Sequence, residues 1–131
     1  MRTTAYESYL ENEVLTADPV KLVQLLYRGA LEAIGSARRS LASGDIPCRS
    51  KAITKALNIL NELIQSLDHD NGGELSLNLL RLYDYVQRLL LDANARQADA
   101  PLAEAERLLC TLFEAWHTLT NAEYQPVSRA G

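Results

Sequence analysis

Apolar residues recur along this chain at steps of three and four, the spacing of one face of an α-helix, and short polar segments punctuate them. In the first such stretch Val23, Leu26, Tyr27, Ala30, Ile34, Ala37 and Leu41 keep that step, while Lys21, Gln24, Arg28, Glu32, Gly35 and Arg39 form the opposite stripe. Asp18-Pro19 opens it as an N-cap followed by proline, and Ser43-Gly44 closes it. Asp45-Ile46-Pro47 opens a second helix by the same logic, with a seam of Ile53, Ala56, Leu60, Leu63 and Leu67 opposite Lys51, Lys55, Asn58 and Glu62. The segment from Asp68 to Gly73 reads as a loop, since Asn-Gly-Gly breaks helices. A third helix is expected from about Glu74 to Asn94 with Leu75, Leu79, Leu82, Val86, Leu89 and Ala93 on its seam. Asp99-Ala100-Pro101 opens the fourth, in which Leu102, Ala105, Leu109, Leu112, Trp116 and Leu119 recur.

Short connections place consecutive helices antiparallel. The expected fold is therefore all-α: an antiparallel up-down-up-down four-helix bundle over residues 18–122, one domain, with a flexible tail over 123–131. Residues 1–17 carry Tyr6, Tyr9, Leu10, Val14 and Leu15, too apolar for a disordered leader, and are expected to form a short N-terminal helix or strap over a groove.

The apolar surface exceeds what a lone bundle needs, which is about three residues in seven on each helix. The third helix adds Leu77, Leu80, Tyr83, Tyr85, Leu90 and Leu91 to its seam, leaving a narrow polar ridge of Asn78, Arg81, Asp84 and Arg88. The first adds Leu22 and Leu25, the second Leu57, Ile59 and Ile64. This excess predicts a second buried surface, facing a dimer mate, a membrane face or a partner's amphipathic segment, the membrane fitting least well. The candidate partner-binding residues are Tyr6, Tyr9, Val14, Leu22, Leu25, Ile59, Leu77, Asn78, Leu80, Tyr83 and Tyr85. Tyr83 and Tyr85, two residues apart, cannot point the same way on a helix, so one is expected to close the bundle and the other to border the groove. Asn78, at the polar edge of the strip, is suited to hydrogen-bond a partner's backbone.

Composition narrows the function. The chain has 131 residues, 47% of them hydrophobic, and a formal net charge of −4. An acidic chain without a basic patch is a poor match for nucleic acid, whose phosphates demand cations. No apolar run approaches the roughly 18 residues of a membrane span, and basic residues do not flank the stripe as they do in surface-bound helices. The first residues lack a signal peptide's hydrophobic stretch, so the chain reads as cytoplasmic, with Cys48 and Cys110 as unpaired thiols. Catalytic and metal constellations are missing: His69 and His117 are the only histidines, Asp68-His69-Asp70 reads as solvated capping residues, and no phosphate loop, GxSxG or HExxH occurs. The expectation is a protein that is not an enzyme and carries neither cofactor nor metal.

These landmarks, in this order, resemble the bacterial flagellar secretion chaperone family FliS. The resemblance is carried by Tyr6 with Val14-Leu15-Thr16-Ala17-Asp18-Pro19, then by Lys21-Leu22-Val23 and Leu25-Leu26-Tyr27-Arg28-Gly29-Ala30. Gly44-Asp45-Ile46 and Lys55-Ala56 follow, and then the most specific block: Ser66-Leu67-Asp68, Gly72-Gly73-Glu74-Leu75, Asn78-Leu79, Leu82-Tyr83-Asp84-Tyr85, Leu89 and Ala93-Asn94. Glu114-Ala115-Trp116 closes it. Arg28, Val86 and Pro47-Cys48-Arg49 depart from the family pattern, on a wet face, at a core position and at a helix start. The resemblance implies a cytoplasmic chaperone that binds the C-terminal segment of flagellin, prevents premature polymerisation and escorts it to the flagellar type III export apparatus. It also implies docking at the cytoplasmic domain of the export gate, and an N-terminal strap that competes with flagellin for a groove. The alternative is a homodimeric helical scaffold or adaptor that does not bind flagellin.

Overall fold

The computed structural model describes residues 19–123, and side chains over 20–118. The expected strap, with Tyr6, Tyr9 and Val14, and the expected tail lie outside the described residues. Four helices follow one another: α1 is Pro19–Ser43, α2 Ile46–Gln65, α3 His69–Arg96 and α4 Asp99–Glu123. Each packs against its neighbours in the chain, and α1 closes the ring on α4. Paired residues give the directions. Tyr27 of α1 meets Trp116 of α4, while Arg38, further along α1, meets Asp99 at the start of α4. Arg49 at the start of α2 meets Asn94 at the end of α3, and Asn61 meets Gln87.

The helix limits follow from local chemistry. Gly44, at φ 77°, ends α1 with the Gly44 and Asp45 amides donating back to the Leu41 and Ser40 carbonyls, a Schellman closure. The Asp45 carboxylate then accepts the Cys48 amide at 3.2 Å and caps α2, with Pro47 in its first turn. Asp68 caps α3 in the same way through the Asn71 amide.

The core is built from the expected seams, joined by Leu90, which the spacing had counted as excess apolar surface. Tyr27, Ala30, Ile34 and Ala37 of α1, Ile53, Ala56, Leu60 and Leu63 of α2, Val86, Leu90 and Ala93 of α3, and Leu102, Ala105 and Leu109 of α4 are shut off from solvent. Each large side chain so buried contributes about 1.5–3 kcal/mol relative to exposure.

Two expectations are corrected at the start of α3. The segment 69–72 is not a loop but a helical turn, because the Asp68 cap and the Gly72 amide on the Asp68 carbonyl at 2.7 Å supply its first bonds. Gly73 then leaves the helix (φ 54°, ψ −128°) before α3 resumes, a conformation that favours glycine. A Cβ on Gly72 would lie 2.8 Å from the Ser76 Cβ, and the buried Ser76 hydroxyl bonds the His69 ring Nδ1 at 2.9 Å. His69 thus ties this turn to the helix body. Leu75, placed on the seam by its spacing, is 60% exposed, because it lies just past the Gly73 kink where the core has ended.

Candidate partner-binding face

Helix α3 presents two shoulders to solvent. At about 100° per residue, positions seven apart stay nearly in line. Leu80, Gln87 and Asn94 form the row that faces α2. Gln87 donates to Asn61 at 2.8 Å, and Asn94 accepts from Arg49 at 3.2 Å. Leu77, Asp84 and Leu91 run beside that row on the outer surface, with Leu77 42% and Leu91 56% exposed. Asn78, Tyr85 and Asp92 form the row on the α4 side. There the Tyr85 hydroxyl donates to Glu104 at 2.6 Å, which raises the phenol's pKa and pins the ring, 42% exposed, across the α3–α4 groove.

The two ends of the bundle differ. Where α1 ends and α4 begins, the Arg38 guanidinium grips both Asp99 oxygens at 2.8 and 2.9 Å and reaches Glu106 at 2.6 Å. At the opposite end Leu22, Val23, Leu67, Leu112, Phe113 and Trp116 are only partly buried, and Leu75 stands outside them. The apolar surface therefore collects at the start of α1, around Leu112, Phe113 and Trp116 of α4 and along α3, with Ile46 exposed at the start of α2.

Beneath this end sits a hydrogen-bonded aromatic cluster. The Tyr27 hydroxyl lies 2.7 Å from that of Tyr83 and accepts the Trp116 indole N–H at 3.2 Å. The Phe113 ring stacks on Tyr27 with centroids 6.1 Å apart, and Tyr83 meets Tyr27 edge-on at 6.2 Å. Burial, and then the neighbouring Tyr83, push the Tyr27 phenol far above its ordinary pKa, so it stays a neutral hydroxyl. Three helices thus meet at one satisfied polar node.

The candidate residues divide between surface and interior. Leu77, Asn78 and Tyr85 are exposed on α3, and Leu80 and Leu22 are half-buried. Leu25, Ile59 and Tyr83 are buried, because the interfaces of α1 and α2 with their neighbours are wider than the seam and absorb them. Of the tyrosine pair, Tyr83 closes the bundle and Tyr85 reaches the surface. Among the described residues Asn78 accepts only a long 3.5 Å bond from Arg81, which leaves its amide largely uncommitted there. Sequence reasoning left out Leu75 and Leu91, although Leu91 already stood among the excess residues. Among the described residues no group of His, Cys, Asp and Glu could hold a metal, and no helix is long and apolar enough to cross a membrane.

The family model for the flagellar protein FliS matches residues 2–123. The chain is 40% identical to the flagellar secretion chaperone FliS of Salmonella typhimurium over 112 residues, covering 85% of this chain and 83% of that protein. It is 36% identical to the flagellar secretion chaperone FliSB of Pseudomonas aeruginosa, covering 86% and 89% of the two chains. Identity to FliS of Bacillus subtilis is 33%, covering 90% and 87%. A helical bundle with apolar shoulders, matched to one family over nearly its whole length, belongs to the FliS family of flagellar proteins.

Proposed function

We propose that this protein is a cytoplasmic secretion chaperone that holds the C-terminal segment of flagellin on its apolar shoulders, keeps it from polymerising early and delivers it to the flagellar export apparatus. The supporting observation is the run of large apolar side chains left on α3, with Leu75, Leu77, Tyr85 and Leu91 all exposed. A folded surface rarely leaves so much apolar area on one element without a use. A segment that is unfolded alone and amphipathic once helical matches that surface, because each turn lays an apolar residue into a groove. Binding of this kind involves no bond-making chemistry and no cofactor. The export gate's cytoplasmic domain is the second partner in this reading.

Mixing the protein with flagellin on a sizing column tests the proposal. A complex with intact flagellin, and none with flagellin lacking its C-terminal segment, is the expected result. Equal complex formation with both would refute it. A homodimer that ignores flagellin would support the scaffold alternative.

A further inference from the structure

Arg49 is 6% exposed, yet among the described residues its guanidinium makes a single hydrogen bond, from Nε to the neutral Asn94 Oδ1 at 3.2 Å. A guanidinium carries five N–H donors. The ion-paired arginines of the described residues sit against carboxylates: Arg38 against Asp99 and Glu106, Arg88 against Asp84, Arg96 against Asp92. Arg49 has no carboxylate within ion-pairing distance among the described residues, and Asp45, which caps its helix, is taken up with the Cys48 amide. A buried charge held by one neutral acceptor is costly. No fully enclosed side-chain nitrogen or oxygen among the described residues lacks a partner, so any Nη donor of Arg49 without one is open to solvent.

Arg49 stands on the seam between the first turn of α2 and the last turns of α3. Ser50 lines it too, its hydroxyl 3.5 Å from Asn94 Oδ1. Two exposed apolar side chains flank it. Ile46, 51% exposed, precedes Arg49 by three residues, and Leu91 precedes Asn94 by three. We infer that this seam is a receptor for a carboxylate on the bound segment: an Asp or Glu side chain pairs with the Nη donors of Arg49 while apolar neighbours on the same helical face cover Ile46 and Leu91. Charge complementarity selects the occupant, since only an anion supplies what the guanidinium lacks, and a carboxylate matches its two-donor edge. The inference rests on the proposal that a flagellin segment docks along α3, and it adds an electrostatic register mark to an otherwise apolar surface.

A double-mutant cycle tests it. The probes are a synthetic flagellin C-terminal segment and the same segment with its Asp and Glu changed to Asn and Gln. The proteins are the native chain and Arg49→Gln. Amidation is expected to weaken binding to the native chain by about tenfold or more, the size of a charge-assisted hydrogen bond, and to change binding to Arg49→Gln by less than about twofold. An equal amidation effect on both proteins would overturn the inference. If Arg49→Gln does not fold, the Arg49 Nε–H resonance of the native protein decides instead. It should shift with the acidic segment and not with the amidated one, and equal response to both would overturn the inference. Absence of binding by either segment would instead refute the flagellin reading on which the inference rests.

Discussion

The Tyr27 and Tyr83 hydroxyls stand 2.7 Å apart in a core otherwise built of aliphatic side chains, and the Trp116 indole donates to the same Tyr27 oxygen. Tyr27 is the shared node: removing its hydroxyl takes a partner from both Tyr83 and Trp116, whereas loss of the Tyr83 hydroxyl leaves Tyr27 with the Trp116 indole. Tyr27→Phe should therefore cost more stability than Tyr83→Phe, with both inside the range of about 1–3 kcal/mol for an orphaned buried group. The double variant should cost less than the two added together. Urea unfolding of the three proteins checks the order, and equal or additive losses would contradict the node.

Arg38 holds the Asp99 carboxyl below the ordinary carboxylate range by hydrogen bonding, and Cys48 and Asn71, each through its side chain and then its backbone amide, do the same for the capping residues Asp45 and Asp68. A carboxyl depressed in the folded state stabilises it above the unfolded pKa, about 3.9 for Asp, and that contribution disappears as pH falls through the folded value. Stability should thus be level near neutrality and fall below about pH 4. Asp99→Asn should flatten part of that acid slope. Thermal melts at pH 7 and pH 3 read the difference, and an unchanged slope would show that the exposed Arg38–Asp99 pair is screened away.

Gln97 closes α3 at φ 53°, a left-handed conformation that costs a non-glycine residue about 1 kcal/mol. Its position after the last turn is the one glycine favours. Gln97→Gly should raise stability by up to about 1 kcal/mol, and Gly73→Ala, at φ 54° with open space around the new Cβ, should lower it by about 1–2 kcal/mol through backbone strain alone. Denaturant midpoints check both signs.

Leu77 and Tyr85 lie on opposite shoulders of α3, both 42% exposed. Leu77→Ser and Tyr85→Ser should each weaken binding of the flagellin segment by about tenfold, as interface anchors do, and shift the melting temperature little. Asn78→Ala should weaken binding in the same way if its amide meets the partner's backbone. Calorimetric titration beside a melt separates binding from folding. Variants that bind normally would move the docking surface off α3.

How much of this was legible in the sequence depends on what periodicity encodes. It gives the angle of a residue around its helix, and so it placed Tyr27, Ile34, Ile53, Leu60, Val86 and Leu109 in the core and Arg28 on the wet face. The Asp-Pro signals gave three helix starts, because Asp45 caps through its own carboxylate and proline needs no donor in a first turn. Periodicity does not say how far along the axis the core extends. Leu75 has a core angle but lies past the kink at Gly73. Nor does it give the width of an interface, which decided that Leu25 and Ile59 are buried while Leu77 is not. Arg49 shares the core angle of Ile53, Ala56, Leu60 and Leu63, but its charge hid it from a count of apolar positions.

The central claim is that the bundle's spare apolar surface holds the C-terminal segment of flagellin. Calorimetric titration of the protein with intact flagellin and with flagellin lacking that segment tests it most directly. The account predicts one-to-one binding to intact flagellin, with a clearly negative heat-capacity change from apolar burial and coupled folding, only mild loss of affinity with salt, and no binding to the truncated protein. Equal affinity for both forms, or binding that collapses as salt rises, would contradict it.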